Sequence, residues 1–262
     1  MRKALLASTA ALLLAGAAAA QTVRTVPSAL YPTIQSAISA STGGDKVMVA
    51  PGIYKELLDF QGKDIQVIGI VGAQRTVIDG NGVGPVVLFT APISRAALLE
   101  GFTVTGGSVS GNGGGIQVAG NAAPTVRKCI IRKNTATAYG GGIGGTASAI
   151  LVEDSIIEEN QATGLSYASG GGVGLQQAST ALVPEFRRCI VRNNRAATRG
   201  GGLYFSYFHN ALIEECLIYG NQTLGTTGSL DGGAGVFFAL NAICTLRNNR
   251  IFRNVSASNG GG

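Results

Sequence analysis

Glycine triplets at 113–115, 140–142, 170–172, 200–202 and 260–262, with Gly232-Gly233-Ala234-Gly235 between the last two, punctuate this chain every 27 to 33 residues. Each except the last is followed by an apolar residue: Ile116, Ile143, Val173, Leu203 and Val236. Between the triplets runs a second signature that aligns on an asparagine: Cys129-Ile-Ile-Arg-Lys-Asn134, Ser155-Ile-Ile-Glu-Glu-Asn160, Cys189-Ile-Val-Arg-Asn-Asn194, Cys216-Leu-Ile-Tyr-Gly-Asn221 and Asn249-Arg-Ile-Phe-Arg-Asn254. Leu99 to Gly107 is a degenerate earlier copy. A unit of two or three short β-type segments without a helix cannot bury its apolar side chains alone, but stacked copies can.

The third residue of each signature is apolar (Ile131, Ile157, Val191, Ile218, Ile251, with Val104 before them), and so is the residue five earlier (Val126, Val152, Phe186, Ile213, Leu246, with Leu99). Small or turn-forming residues, Cys129, Ser155, Cys189, Cys216 and Asn249, stand two before that third position. This spacing breaks the strict period of two, as a corner between two strands would. Each repeat is therefore predicted to be one coil of a parallel β-helix, with like residues stacked about 4.8 Å apart.

Charge supports that register. The residue seven before each asparagine runs Glu100, Arg127, Glu153, Arg187, Glu214, Arg247, and the next column runs Gly101, Lys128, Asp154, Arg188, Glu215, Asn248. Sign alternates along the stack, so slipping by one coil would set like against like. Each exposed pair contributes only roughly 0.2 to 1 kcal/mol, so the ladder is expected to act through specificity. The asparagines stand 26, 34, 27 and 33 residues apart, which predicts loops of two sizes alternating along one side.

Forty glycines and the absence of tryptophan argue against a conventional globular core. Residues 1–20 read as a secretory signal peptide: Arg2 and Lys3 precede an apolar Ala/Leu run that is short for a membrane span and ends in Ala18-Ala19-Ala20. Removing it takes two of the 20 basic residues and none of the 14 acidic ones. The mildly basic remainder, with no Lys/Arg run interleaved with aromatics, excludes nucleic acid as a partner class. Residues 21–262 are expected to form a single domain. Within it residues 28–44 look like a helical cap, with Pro32 in a first turn, Ile34, Ala37 and Ile38 on one face, and Gly43-Gly44 at the end. Because the sequence stops mid-repeat at Asn259-Gly-Gly-Gly262, the chain is expected to be truncated at its C-terminal side.

The stretches Tyr31-Pro-Thr-Ile-Gln-Ser-Ala-Ile38, Gly44 to Glu56, Thr76-Val-Ile-Asp-Gly-Asn-Gly82 and Glu100 to Gly107 resemble the N-terminal coils of bacterial right-handed β-helix proteins of the pectin-lyase-like superfamily. The Gly-Gly-Gly-Ile and Ile-x-x-Asn repeats are also similar to those of polymorphic outer-membrane proteins, with Ile or Val here in place of Phe. The resemblance implies an all-β, right-handed parallel β-helix (solenoid) with a short N-terminal capping helix. Such an architecture hosts lyases, hydrolases, esterases, adhesins and fibres, so it does not fix an activity.

Gly52 to Glu56 resembles the Pro-Gly-x-Tyr-x-Glu turn of pectinesterases, yet the Asp-Phe-Ile-Phe-Gly-like segment and the Arg-Pro-Trp element of that family are missing. The paired aspartates and Gly-His-Gly of polygalacturonases are missing too. Glycoside hydrolysis needs two carboxylates across one bond, whereas five of the 14 acids here, Glu100, Glu153, Asp154, Glu214 and Glu215, fall in the charge columns. Asp79-Gly-Asn-Gly82 reads as a tight turn before a calcium loop, and the single histidine, His209, beside Asn210, as a loop residue with no triad or metal partner. No cofactor or metal is expected.

Cys129, Cys189 and Cys216 share one column while Cys244 lies elsewhere; a buried thiol column is the favoured reading and a Cys189–Cys216 bridge the alternative. One residue past the apolar position after each triplet, an outward column is read as Gln117, Gly144, Gly174, Tyr204 and Phe237, with Tyr207, Phe208 and His209 close by. Exposed rings there, Tyr204, Tyr207 and Phe237, are candidates for stacking on sugar faces unless loops fold over them. A second outward column, Ile130, Ile156, Ile190 and Leu217, would be a contact stripe if left uncovered.

The leading expectation is a non-catalytic exported scaffold, secreted or held at the cell surface, that binds a polysaccharide or a surface protein. The alternative is a carbohydrate-active enzyme whose catalytic residues lie in unrecognised loops or beyond residue 262, and a third is the passenger of a transported adhesin.

Overall fold

A computed structural model describes residues 21–164, 168–176, 183–207, 211–225, 232–240, 242–257 and 260–261. Among these, the strands form four sheets of nine, eight, six and seven strands, and neighbours in each sheet pair in parallel. One coil visits them in turn: Thr125–Arg127 in the first sheet, Ile130–Arg132 in the second, Thr135–Ala136 in the third and Ile143–Thr146 in the fourth. Leu151–Glu153 then rejoins the first sheet one layer up.

The repeat fixes the layers because matching side chains fall on one another. Leu99, Val126, Val152, Phe186 and Ile213 are register partners in sequence and are all buried. Val104, Ile131, Ile157, Val191 and Ile218 do the same on the second sheet. Each such side chain removed from water contributes about 1.5 to 3 kcal/mol, which is the term that stacking supplies and a lone repeat lacks.

Two tight corners flank the second sheet. At the first, Lys128, Asp154, Arg188 and Glu215 adopt positive φ of 49° to 55°, and at the second Lys133 and Glu159 do so at 53° and 56°. The unfavourable conformation is held by the ladder itself, since Lys128 N donates to Glu153 O at 3.1 Å and Asp154 N to Arg187 O at 3.1 Å. Behind the second corner the fully buried amides of Asn134, Asn160, Asn194 and Asn221 form an internal column. The Oδ1 of Asn160, Asn194 and Asn221 accepts both the backbone N–H and the Nδ2 of the asparagine below, at 3.0 to 3.1 Å, while Asn134 Oδ1 at the start of the column accepts from Gly107 N at 2.9 Å. Each Nδ2 also donates to a strand carbonyl, as Asn160 does to Ile131 O at 2.9 Å. Only an amide offers the donor and acceptor this arrangement consumes.

The triplets serve a third corner. Gly140 sits at φ 71°, and a side chain at Gly142 would place its Cβ 2.6 Å from Gly172 O on the next coil. The longer repeats carry their extra residues on either side of the fourth sheet: 163–172 stands where the preceding coil has 137–142, and 177–184 where it has 147–150.

The helix spans Ile34–Ala40 and buries Ile34, Ala37 and Ile38. Its N-cap is Thr33, whose side chain accepts from Ser36 N in a capping box, so Pro32 lies just outside the first turn and not within it. Glu56 lays its carboxylate on the N–H groups of Ile34 and Gln35, both at 3.0 Å. Together with Tyr54 Oη donating to Ala50 O at 2.9 Å, this explains the Gly52-to-Glu56 turn as a clamp holding the cap on the first coils.

Candidate binding surface

The columns expected to line up do so. Glu100, Arg127, Glu153, Arg187, Glu214 and Arg247 are successive register partners on the outside of the first sheet. Arg127 meets Glu100 at 2.6 Å, and Glu214 is shared by Arg187 at 3.3 Å and Arg247 at 3.1 Å. Glu153 pairs instead with Arg188 of the corner column, at 3.4 Å, and Arg188 also grips Asp154 at 2.7 Å. That ion pair holds the Asp154 carboxyl below its ordinary range.

The carboxylates are thereby occupied. Asp45 accepts from the backbone N–H of Thr42 and Thr22 and from Arg24, which keeps it well below the usual carboxylate range despite its burial. Asp59, Asp64 and Asp79 each accept a backbone N–H of a turn, from Gln61, Ser94 and Asn81. The Asp79 segment is thus a turn, and among the described residues no three His, Cys, Asp or Glu side chains converge as a metal site requires. Glu158, Glu159 and Glu185 sit in ion pairs with arginine. Glu215 alone of the described acids has neither an ion pair nor a side-chain hydrogen bond there.

All four cysteines are free thiols. Cys129, Cys189 and Cys216 are buried at the corner between the first and second sheets, and Cys189 N lies 3.4 Å from Cys216 Sγ. Burial pushes the Cys129 thiol up to about 12. Cys189 is raised by the hydrogen bond it shares with Cys216 and by burial.

On the outside of the fourth sheet, Gln117, Gly144, Gly174, Tyr204 and Phe237 form one column, but Tyr204 is not an exposed ring: only 2% of it meets solvent. The segments preceding the triplets fold back over this face and bridge to one another through Tyr139, Ser169, Arg199 and Gly232. Gly144 and Gly174 leave room for the backbone of Tyr139 and Gly140, and the Tyr139 ring stacks on Tyr204 at 5.6 Å, while Phe237 stacks on its other side at 6.0 Å. With both faces covered, Tyr204 has none to offer a sugar. Tyr207 is 48% exposed and Phe237 half-buried. Phe237 lines a shallow pocket of about 230 Å³ with Arg199, Phe238, Ala239 and Leu240, and the Arg199 guanidinium lies 5.9 Å from its ring centroid. Leu240 occupies, one coil on, the position that Tyr207 holds. Phe208 and His209 lie outside the described residues, as do residues 1–20, where a signal peptide is expected.

Arg199 and Leu240 carry no signal in the signatures themselves. The column just before each triplet, Tyr139, Ser169, Arg199, Gly232, is the feature that would have revealed the fold-back.

The family model for the right-handed beta helix region matches residues 92–182 and 183–262. Among solved structures, a pectin methylesterase from carrot has the same fold at a TM-score of 0.50 and 13% identity, over 92% of this chain and 84% of that one. A pectin methylesterase from Aspergillus niger gives a TM-score of 0.45 and 12% identity, over 92% and 87%. No curated protein matches the chain significantly.

Proposed function

The chain belongs to the right-handed β-helix family, and from that premise we propose that it is a non-catalytic exported scaffold that binds glycan on the outside of its fourth sheet. One observation carries this reading: every described carboxylate except Glu215 is committed to an ion pair, a turn or, at Glu56, the N-terminus of the helix. Acid–base chemistry on a sugar needs two carboxylates free to hold and release protons across one bond. A lone exposed glutamate on the opposite side from the aromatic pocket does not supply them.

The binding locus is the pocket around Phe237, with Tyr207 beside it, where an apolar ring and an exposed phenol meet in a shallow concavity. Tyr204 supports Phe237 from beneath and does not itself touch ligand. Export rests on the leader at residues 1–20. Among the described residues no helix is long and apolar enough to cross a membrane.

The second reading, a carbohydrate esterase, draws on the fold shared with pectin methylesterases. Both are tested by incubating the purified protein with plain and methyl-esterified polyuronides while following unsaturated ends, reducing ends and methanol. The scaffold reading expects retention of polysaccharide in affinity electrophoresis without any of the three products. Turnover overturns it, and methanol alone would single out the esterase.

A further inference from the structure

The outer face of the second sheet has an apolar spine. Ile53, Val77, Thr103, Ile130, Ile156, Ile190 and Leu217 are consecutive register partners in its outward column, partly exposed along the stack and 70% exposed at Ile53, and the column ends in the exposed Arg250. Corners of two residues bound the face on both sides in the coil of Ile130, 128–129 and 133–134, and in the coils of Ile156, Ile190 and Leu217; the earlier corner 70–75 is longer, and it reaches the face at Thr103, whose Oγ1 donates to Ala73 O at 2.8 Å. Among the described residues no loop stands next to this face over the coils from Ile130 to Leu217.

We infer that the face is the contact between two copies of this chain packed antiparallel, with the two-fold axis running along the strands between the coils of Ile156 and Ile190. The argument is charge complementarity. The exposed corner column beside the spine reads Lys128, Asp154, Arg188, Glu215, one residue per coil. Face to face in the same direction, a second copy would set Lys128 against Lys133, Asp154 against Glu159 and Arg188 against Arg192, and an antiparallel copy shifted by one coil would set Lys128 against Arg188 and Asp154 against itself. About the stated axis, Lys128 faces the second copy's Glu215 and Asp154 faces its Arg188. On the other flank Glu158 faces Arg192, Arg132 faces Tyr219, and Glu159 and Lys133 face the uncharged Asn193 and Gly220. Ile130 then meets Leu217, Ile156 meets Ile190, and Arg250 is set against Thr103. No like charges meet, and Glu215, which has no ion pair within its own chain among the described residues, gains one.

Five residue columns across six coils give a flat footprint of about 500 Å² per copy at ordinary strand spacings. That is the low end for specific association, so the dimer should dissociate at micromolar concentrations.

Sedimentation equilibrium of the full chain should show a reversible monomer–dimer equilibrium. Ile156→Glu combined with Ile190→Glu places four carboxylates around the axis and should weaken it at least ten-fold, with circular dichroism and the melting transition reporting that the half-buried outer positions tolerate the change. The double variant Ile130→Cys with Leu217→Cys should form a covalent dimer on mild oxidation. Each single variant should not, because identical positions then lie about three coils, or 14 Å, apart. The same separation forbids a bridge within one chain. A protein that stays monomeric throughout, crosslinking by either single variant, or an undiminished dimer in the folded glutamate variant overturns the inference.

Discussion

Asn160 Nδ2 donates to Asn194 Oδ1 one coil above at 3.0 Å, and that same oxygen takes the backbone N–H of Asn160 at 3.0 Å. The pair lies in the fully buried column, so a residue there must donate upward and accept from below. Asn160→Asp keeps the shape and the acceptors but loses the donor, removing the side-chain hydrogen bond to Ile131 O and leaving two oxygens facing each other. The expected destabilisation is about 3 kcal/mol or more, the range for a buried, unpaired charged group. Urea unfolding should show a larger loss at pH 8 than at pH 5, because only at the higher pH must the buried carboxyl be charged or take up a proton against its tendency.

The charge column on the first sheet is expected to stabilise modestly and discriminate strongly. Glu214 lies between Arg187 and Arg247, so Glu214→Arg sets three guanidiniums in a row. Loss of two part-exposed pairs plus the new repulsion predicts about 1 to 2 kcal/mol of destabilisation, diminishing in high salt. Glu214→Gln should cost less than half as much. Equal effects of the two substitutions, or no salt dependence, would show that the column contributes packing alone.

Most of the fold was legible because the physics that stacks coils acts through short local signatures. Val126, Val152 and Phe186 announce their column by spacing alone, and Asn134 and its successors mark the amide ladder even though the sequence does not reveal which donor meets which acceptor. Pro32 was misplaced by one cap position because Thr33 supplies the capping oxygen that proline cannot. The aromatic column is legible in register but not in exposure: Tyr204 does point outward from its strand, and of the two outcomes the sequence leaves open, the turn that the glycines permit lies over it while Tyr207 stays nearly half exposed. Periodicity reports the face a side chain takes, and only the path of the chain three corners later reports whether that face is wet.

At the N-terminal end, Asp45 links Thr22, Arg24 and Thr42 around the first strand. Hydrogen bonds from the backbone N–H groups of Thr42 and Thr22, opposed by burial and aided by Arg24, depress its pKa. A carboxyl whose folded pKa lies below its unfolded value, about 3.9, binds protons more weakly when folded. It therefore adds stability above that pH and loses it as pH falls toward the depressed value. The protection factors of the Thr22 to Val26 amides, taken relative to intrinsic exchange at each pH, should fall below pH 4 in the native protein. In Asp45→Asn the same amides should exchange faster at neutral pH and show no such acid step.

Thiol reactivity should separate the cysteines. Burial raises Cys129 to about 12, and Cys244, also raised to about 12 by burial, is nevertheless partly exposed. At pH 8 a small aromatic disulfide reagent should modify Cys244 slowly and spare Cys129, Cys189 and Cys216 until the protein is unfolded. Four thiols titrating in denaturant without reductant is the expected total, and two would mean that Cys189 and Cys216 are bridged.

The aromatic surface predicts a division between support and contact. Tyr204, buried between Tyr139 and Phe237, should cost about 3 to 5 kcal/mol when changed to Ala, as large buried rings do. Tyr207, nearly half exposed, should change stability by no more than about 0.5 kcal/mol on the same substitution. If glycan is held beside the Phe237 pocket, Tyr207→Ala and Phe237→Ala should each weaken retention in affinity gels several-fold. Tyr204→Phe, which keeps the stacked ring and removes a hydroxyl that no ligand reaches, should leave retention unchanged. Loss of binding in Tyr204→Phe with full retention in Phe237→Ala would place the glycan elsewhere on the molecule.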